Sequence, residues 1–143
     1  MRRSAKYILL LLCMAAFISC ENVFHNDRLD FLWRLDSVEY LSGYDFDGKP
    51  CRVEPKEGLW FSFARDLVEI ENNRSEFAAI GILVDKGDTL VLDFSMYQEW
   101  EVIMDGLRMM GMDSLVSTFC VTELNRKKLI LTGDKTILNL TKW

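Results

Sequence analysis

The sequence predicts a mainly β, antiparallel domain of about eight strands closed into a barrel, with one amphipathic helix at about residues 96–110 before the last three strands. Three observations lead there. From Leu32 onward apolar residues alternate with polar ones over short runs, the period of a half-buried strand. Compact turn signals such as Lys86-Gly87-Asp88 separate the runs, so that consecutive strands can pair directly. Helical spacing takes over in one late stretch only, and a sheet of this many strands loses its exposed edges by closing on itself.

The chain opens with Arg2, Arg3 and Lys6, continues with the eleven-residue apolar run Tyr7 to Phe17, and closes the run with Ser19-Cys20. A basic start, a short apolar stretch and a small residue make an export segment. Eleven residues fall well short of the roughly 20 that cross a bilayer as a helix. The Ser19-Cys20 junction resembles the lipobox of diacylglyceryl-modified lipoproteins, although Phe17 stands where leucine is usual. That resemblance implies a signal peptide over 1–19, an acylated Cys20 and a tether over 20–30 leading into a domain over 31–143. More than one acyl chain makes such an anchor stable. Glu21 is not the aspartate that signals inner-membrane retention, so the expected place is the cell envelope, at the outer membrane.

Loss of residues 1–19 leaves 124 of the 143 residues, enough for one domain with its own core. It also removes three cationic residues, taking the net charge from -5 to -8. Such a field repels nucleic acid and makes an electrostatic grip on anionic lipid equally unexpected. His25 is the one histidine and lies in the tether, which excludes a histidine triad or histidine-bearing zinc site within the domain. No cofactor and no metal are expected. Cys51 and Cys120 can pair in an exported protein or remain as two thiols, and their spacing does not decide.

The first strand carries Trp33, Leu35, Val38 and Tyr40, and its change of phase predicts a bulge near Asp36-Ser37. Ser42 to Gly58 reads as a long polar connection. Leu59, Phe61 and Phe63 share one face of the next strand, with Trp60 on the other, either exposed as a docking anchor or covered by the 42–58 connection. Val68 and Ile70 follow a turn at Arg65-Asp66. Phe77 to Val84, apolar at nearly every position, predicts a strand covered on both faces. Leu90, Leu92 and Phe94 share a face after the hairpin. Met96, Trp100, Ile103, Met104 and Leu107 then recur at helical spacing, with Ser95 and Gln98 as a capping box and Gly111 as the stop. The methionines of this helix form either a pliable binding surface or plain core. Phe119 and Val121, Leu129 to Leu131, and Leu138 with Leu140 mark three closing strands.

Leu32-Trp33-Arg34-Leu35, Gly87-Asp88-Thr89-Leu90-Val91-Leu92, the inserted helix, Phe119-Cys120-Val121, Lys128-Leu129-Ile130-Leu131 and Leu138-Asn139-Leu140 together resemble the lipocalin-like lipoproteins of Bacteroidota. Phe31 and Leu32 stand where many lipocalins place a glycine before the tryptophan. The resemblance implies a calyx-like barrel and a small hydrophobic ligand. Trp33, Phe61, Phe63, Leu92, Phe94 and Phe119 would line the pocket, with Leu35 and Val121 beside them, or fill the barrel as core. The alternative is an interaction lipoprotein that docks on an envelope protein. Glu69, Glu71, Glu99 and Glu101 read as solvated, and the absence of a phosphate loop, nucleophile elbow or metal-spaced cluster argues against an enzyme. Asp36-Ser37-Val38, Asp88-Thr89-Leu90 and Asp113-Ser114-Leu115 also match the O-glycosylation motif of that group, with Ser114 the expected acceptor.

Overall fold

A computed structural model describes residues 28–44, 50–53, 58–73 and 77–143, with the side chains of 43–44 and 50–53 excepted. Cys20 and His25 lie outside the described residues, as does the Cys51 side chain. Nine strands are present among them: β1 (Leu32–Tyr44), β2 (Pro50–Val53), β3 (Leu59–Ala64), β4 (Leu67–Asn72), β5 (Ala78–Asp85), β6 (Thr89–Asp93), β7 (Val116–Leu124), β8 (Lys128–Thr132) and β9 (Thr136–Lys142). The helix α1 (Glu101–Met109) lies between β6 and β7. From β3 to β9 each strand pairs antiparallel with the next, and β1 pairs with both β3 and β9. These eight strands close the barrel. The ninth, β2, extends the edge of β1 beyond β3, with Val38 opposite Val53 and Tyr44 opposite Pro50. Part of the expected 42–58 connection is therefore paired strand, and Pro50 takes a first-residue position, where a missing N–H is tolerated.

The alternating pattern does what its period requires. Trp33, Leu35, Phe61, Phe63, Val68, Ile70, Leu90, Leu92, Leu129, Leu131, Leu138 and Leu140 all point into one buried cluster. In β1 the register with β9 slips between Leu35 and Ser37, the predicted bulge, and both Ser37 and Val38 are buried as a result. Asn139 donates to the Ser37 hydroxyl at 3.2 Å and to Glu39 at 3.2 Å, so the polar group brought inward is satisfied.

Two expectations are corrected. First, β5 is covered on one face only: Ala79 and Leu83 are buried, whereas Ile80, Ile82 and Val84 are 42–46% exposed. Gly81 alternates with them on the inner side, where its missing Cβ admits the Phe94 ring and the Asp93 carbonyl. Second, Ser95 and Gln98 do not cap the helix. The Ser95 N–H donates to the Asp93 carboxylate at 2.8 Å, residues 95–100 form turns, and α1 begins at Glu101 behind Trp100, which supplies no side-chain cap.

The C-terminal stop is as expected. Gly111 has φ of +76°; its N–H donates to the Arg108 carbonyl at 2.9 Å and the Met112 N–H to the Leu107 carbonyl at 3.1 Å. These two bonds form a Schellman motif, and Met112 and Leu107 supply its buried apolar pair.

Candidate binding site

Two pieces of chain cover the two ends of the barrel. At one end the segment 28–31 leaves β1 and reaches toward the β5–β6 hairpin. Leu29 is fully buried there, its carbonyl accepts the Trp33 indole N–H at 3.0 Å, and Arg28 grips Asp85 with two bonds of 2.9 and 2.6 Å. Trp33 thus has its one polar atom satisfied inside an apolar interior, which buried tryptophan requires.

At the other end α1 lies across the opening. Gly106 sits against the Phe77 ring, beside β5, and any Cβ at that position would overlap the ring. The Tyr40 hydroxyl of β1 donates to the Met109 carbonyl at 2.7 Å, and the Thr136 hydroxyl of β9 donates to the Met110 carbonyl at 2.6 Å. Lys135 pairs with Asp113 just beyond. Since β5 and β9 stand on opposite sides of the closed sheet, the helix spans the mouth. Its underside is Ile103, Met104 and Leu107, continued by Met110 and Met112, all buried. The bonds from Tyr40 and Thr136 complete helix-end carbonyls that would otherwise lack partners.

Trp33, Phe61, Phe63, Leu92, Phe94 and Phe119 are brought together in that cluster, with Leu35 buried beside them and Val121 half-buried. The rings of Phe61 and Phe63 are 6.1 Å apart. Trp33, Phe61, Leu92 and Phe94 retain 0–1% of their surface, so they are packed against protein atoms on every side. Of the remaining expected sites among the described residues, Cys120 and Ser114 lie on the outside. Cys120 is an exposed free thiol, so of the two alternatives left open for Cys51 and Cys120 the pairing is not formed in this structure; β8 and β9 separate its strand from β1, along which Cys51 lies. Ser114 is exposed, donates to the Val116 carbonyl at 2.6 Å, and stands in a polar groove of about 220 Å³ with Asp113, Ser117, Asp134 and Lys135. Ser37 of the first Asp-Ser motif is buried. Trp60 is half-buried: the Trp143 ring meets it edge-on at a centroid distance of 5.0 Å, and its indole N–H donates to the Asn73 side-chain oxygen at 2.5 Å.

What the sequence did not reveal is the role of Tyr40 and Thr136 as attachments for α1. Both occupy ordinary strand positions, and nothing local marks a hydroxyl aimed at a helix end. An eight-stranded antiparallel barrel with aromatic interior and covered ends belongs to the class that surrounds either one small ligand or its own side chains. The chain belongs to the family of lipocalin-like domains, whose sequence profile matches residues 12–143. The fold is similar to that of a lipocalin-like protein from Bacteroides uniformis ATCC 8492, with TM-score 0.61, 18% identity, and coverage of 81% of this chain and 99% of that one. It is also similar to an uncharacterized protein from Bacteroides eggerthii DSM 20697, with TM-score 0.56, 20% identity, and coverage of 80% and 99%. No curated protein matches the chain.

Proposed function

We propose that this chain is a non-catalytic binding protein of the cell envelope, tethered through an acylated Cys20, whose barrel admits one small hydrophobic molecule under α1. The observation that carries this reading is the cover of the mouth. It is a nine-residue helix with a methionine-bearing underside, attached by a few side chains rather than by the strand ladder. Displacing it vacates Met104, Met110 and Met112 and leaves every strand pairing intact. Methionine repacks at low cost, which suits a surface that must serve both as core and as ligand contact.

Tryptophan fluorescence of the full chain, titrated with fatty acids, retinoids and bile acids, tests it. The expected result is a saturable change with at least one class, abolished in Met104→Phe, which fills the space beneath the helix. No saturable change with any class refutes ligand binding.

The second reading, an interaction lipoprotein with a filled barrel, is favoured by the complete burial of Trp33, Phe61, Leu92 and Phe94. It expects envelope proteins to be retained by the tethered chain without any added ligand. For modification, Ser114 is the motif copy whose hydroxyl is exposed, and the intact mass of the native chain would show an added glycan that Ser114→Ala removes.

A further inference from the structure

The outer wall of the barrel is unevenly furnished. Where β1 begins, Phe31 is 50% exposed, Leu32 37% and Trp143 74%, and Trp143 meets Trp60 edge to face across β1. The Trp143 N–H donates to the Leu32 carbonyl at 2.9 Å, which places the end of β9 beside the start of β1. The Lys142 ammonium sits 2.8 Å from the centroid of the Phe31 ring. The Lys142 N–H in turn donates to the Lys127 carbonyl at 2.9 Å, bringing the β7–β8 turn with Arg126 and Lys127 to the same end. Lys128 pairs with Glu123 at 3.2 Å and Arg34 with Asp36 at 3.0 Å. Arg126, Lys127 and Lys142 enter no ion pair among the described residues.

This is also the end at which the tether joins. Seven residues separate Cys20 from Arg28, and at no more than about 3.6 Å per residue they reach about 25 Å. The far end, at α1, carries exposed Glu99, Glu101 and Asp105, the last paired with Arg108 at 3.5 Å. The mature chain is acidic as a whole, yet among the described residues Arg126, Lys127 and Lys142, without ion pairs, share this end with the exposed Phe31 and Trp143, while exposed Trp100 stands at the other. Tryptophan, with an apolar body and a polar edge, favours the headgroup level of a bilayer, and lysine and arginine beside it oppose lipid phosphates.

We propose that the tethered barrel lies on the anionic bilayer that holds its anchor, with Phe31, Trp60 and Trp143 in the headgroup region and Arg126, Lys127 and Lys142 against lipid phosphates. The proposal rests on acylation of Cys20, and the placement of charge overrides the expectation drawn from net charge alone. It orients the molecule: the α1 mouth faces away from the membrane.

The test uses the acylated chain purified from membranes and reconstituted in phosphatidylethanolamine–phosphatidylglycerol vesicles with brominated acyl chains. Its intact mass reports acylation separately. Wild-type tryptophan emission is expected to be quenched, with loss of most of that quenching in Trp143→Ala and a decrease in Arg126→Glu/Lys127→Glu or in high salt. Trp100→Phe, near α1, removes an emitter away from the bilayer and is expected to leave the quenched intensity unchanged while the quenched fraction rises. Trp143 is mostly exposed, so Trp143→Ala should keep the wild-type circular dichroism spectrum. An acylated protein whose tryptophans are not quenched, or whose quenching depends on Trp100, overturns the docking while leaving the anchor in place. A chain without acyl mass overturns the anchor and this proposal with it.

Discussion

Gly111 ends α1 in a conformation that no β-carbon accommodates, because the left-handed backbone and the Thr136 side chain both oppose one. Gly111→Ala is expected to destabilise the protein by about 2 kcal/mol, combining αL strain with displacement of Thr136; chemical denaturation would measure it. Asp93 supplies a pH signature. The Ser95 hydroxyl and then the Ser95 N–H hold its carboxyl below the usual carboxylate range, against a small opposing effect of burial. Its contribution to stability is therefore complete above the ordinary aspartate pKa and fades as pH falls through the lowered value. Solvent screening keeps that contribution small. In a carboxyl-carbon NMR titration, Ser95→Ala is expected to move the Asp93 midpoint upward; an unchanged midpoint would remove Ser95 as the cause. Gly111 was readable from the sequence because a glycine after a periodic run has a backbone reason to be there. The Asp93–Ser95 bond was not, since the same serine also fits a capping position.

At the scale of elements, β5 separates what periodicity can tell from what it cannot. Its apolar residues establish a strand, but whether the second face is covered depends on where other elements pack. Ile82→Thr is expected to change stability by no more than about 0.5 kcal/mol, as at an exposed position. Leu83→Ala, on the buried face, is expected to cost about 2–4 kcal/mol. Equal costs in denaturant unfolding would restore the doubly covered strand. The helix shows the same limit: Ile103, Met104 and Leu107 declare its buried stripe, while its position across the mouth depends on Tyr40 and Thr136, distant in sequence. Tyr40→Phe removes one attachment and is expected to cost about 1 kcal/mol. It should speed amide exchange in α1 more than in β6 or β8, as befits a locally opening element.

For the whole molecule, barrel closure was legible because eight strand-length apolar segments, most of them alternating and most joined by short turns, leave few other ways to bury their apolar faces. The interior set followed from the same alternation: the aromatic residues Trp33, Phe61, Phe63, Phe94 and Phe119, with Leu92 among them, do converge. Whether they enclose a ligand was not legible, because the same inward residues serve a filled or a hollow barrel. Of the two covers among the described residues, α1 is the one that sets Met104 against the interior, and it can move without breaking a strand pair. Amide hydrogen exchange of the full chain, with and without a saturating fatty acid, measures this directly. Added protection is expected to concentrate in α1 and in the Tyr40 and Thr136 segments that hold it, with β4, β6 and β8 unchanged. Exchange identical in both states, or protection spread evenly over the barrel, would contradict it.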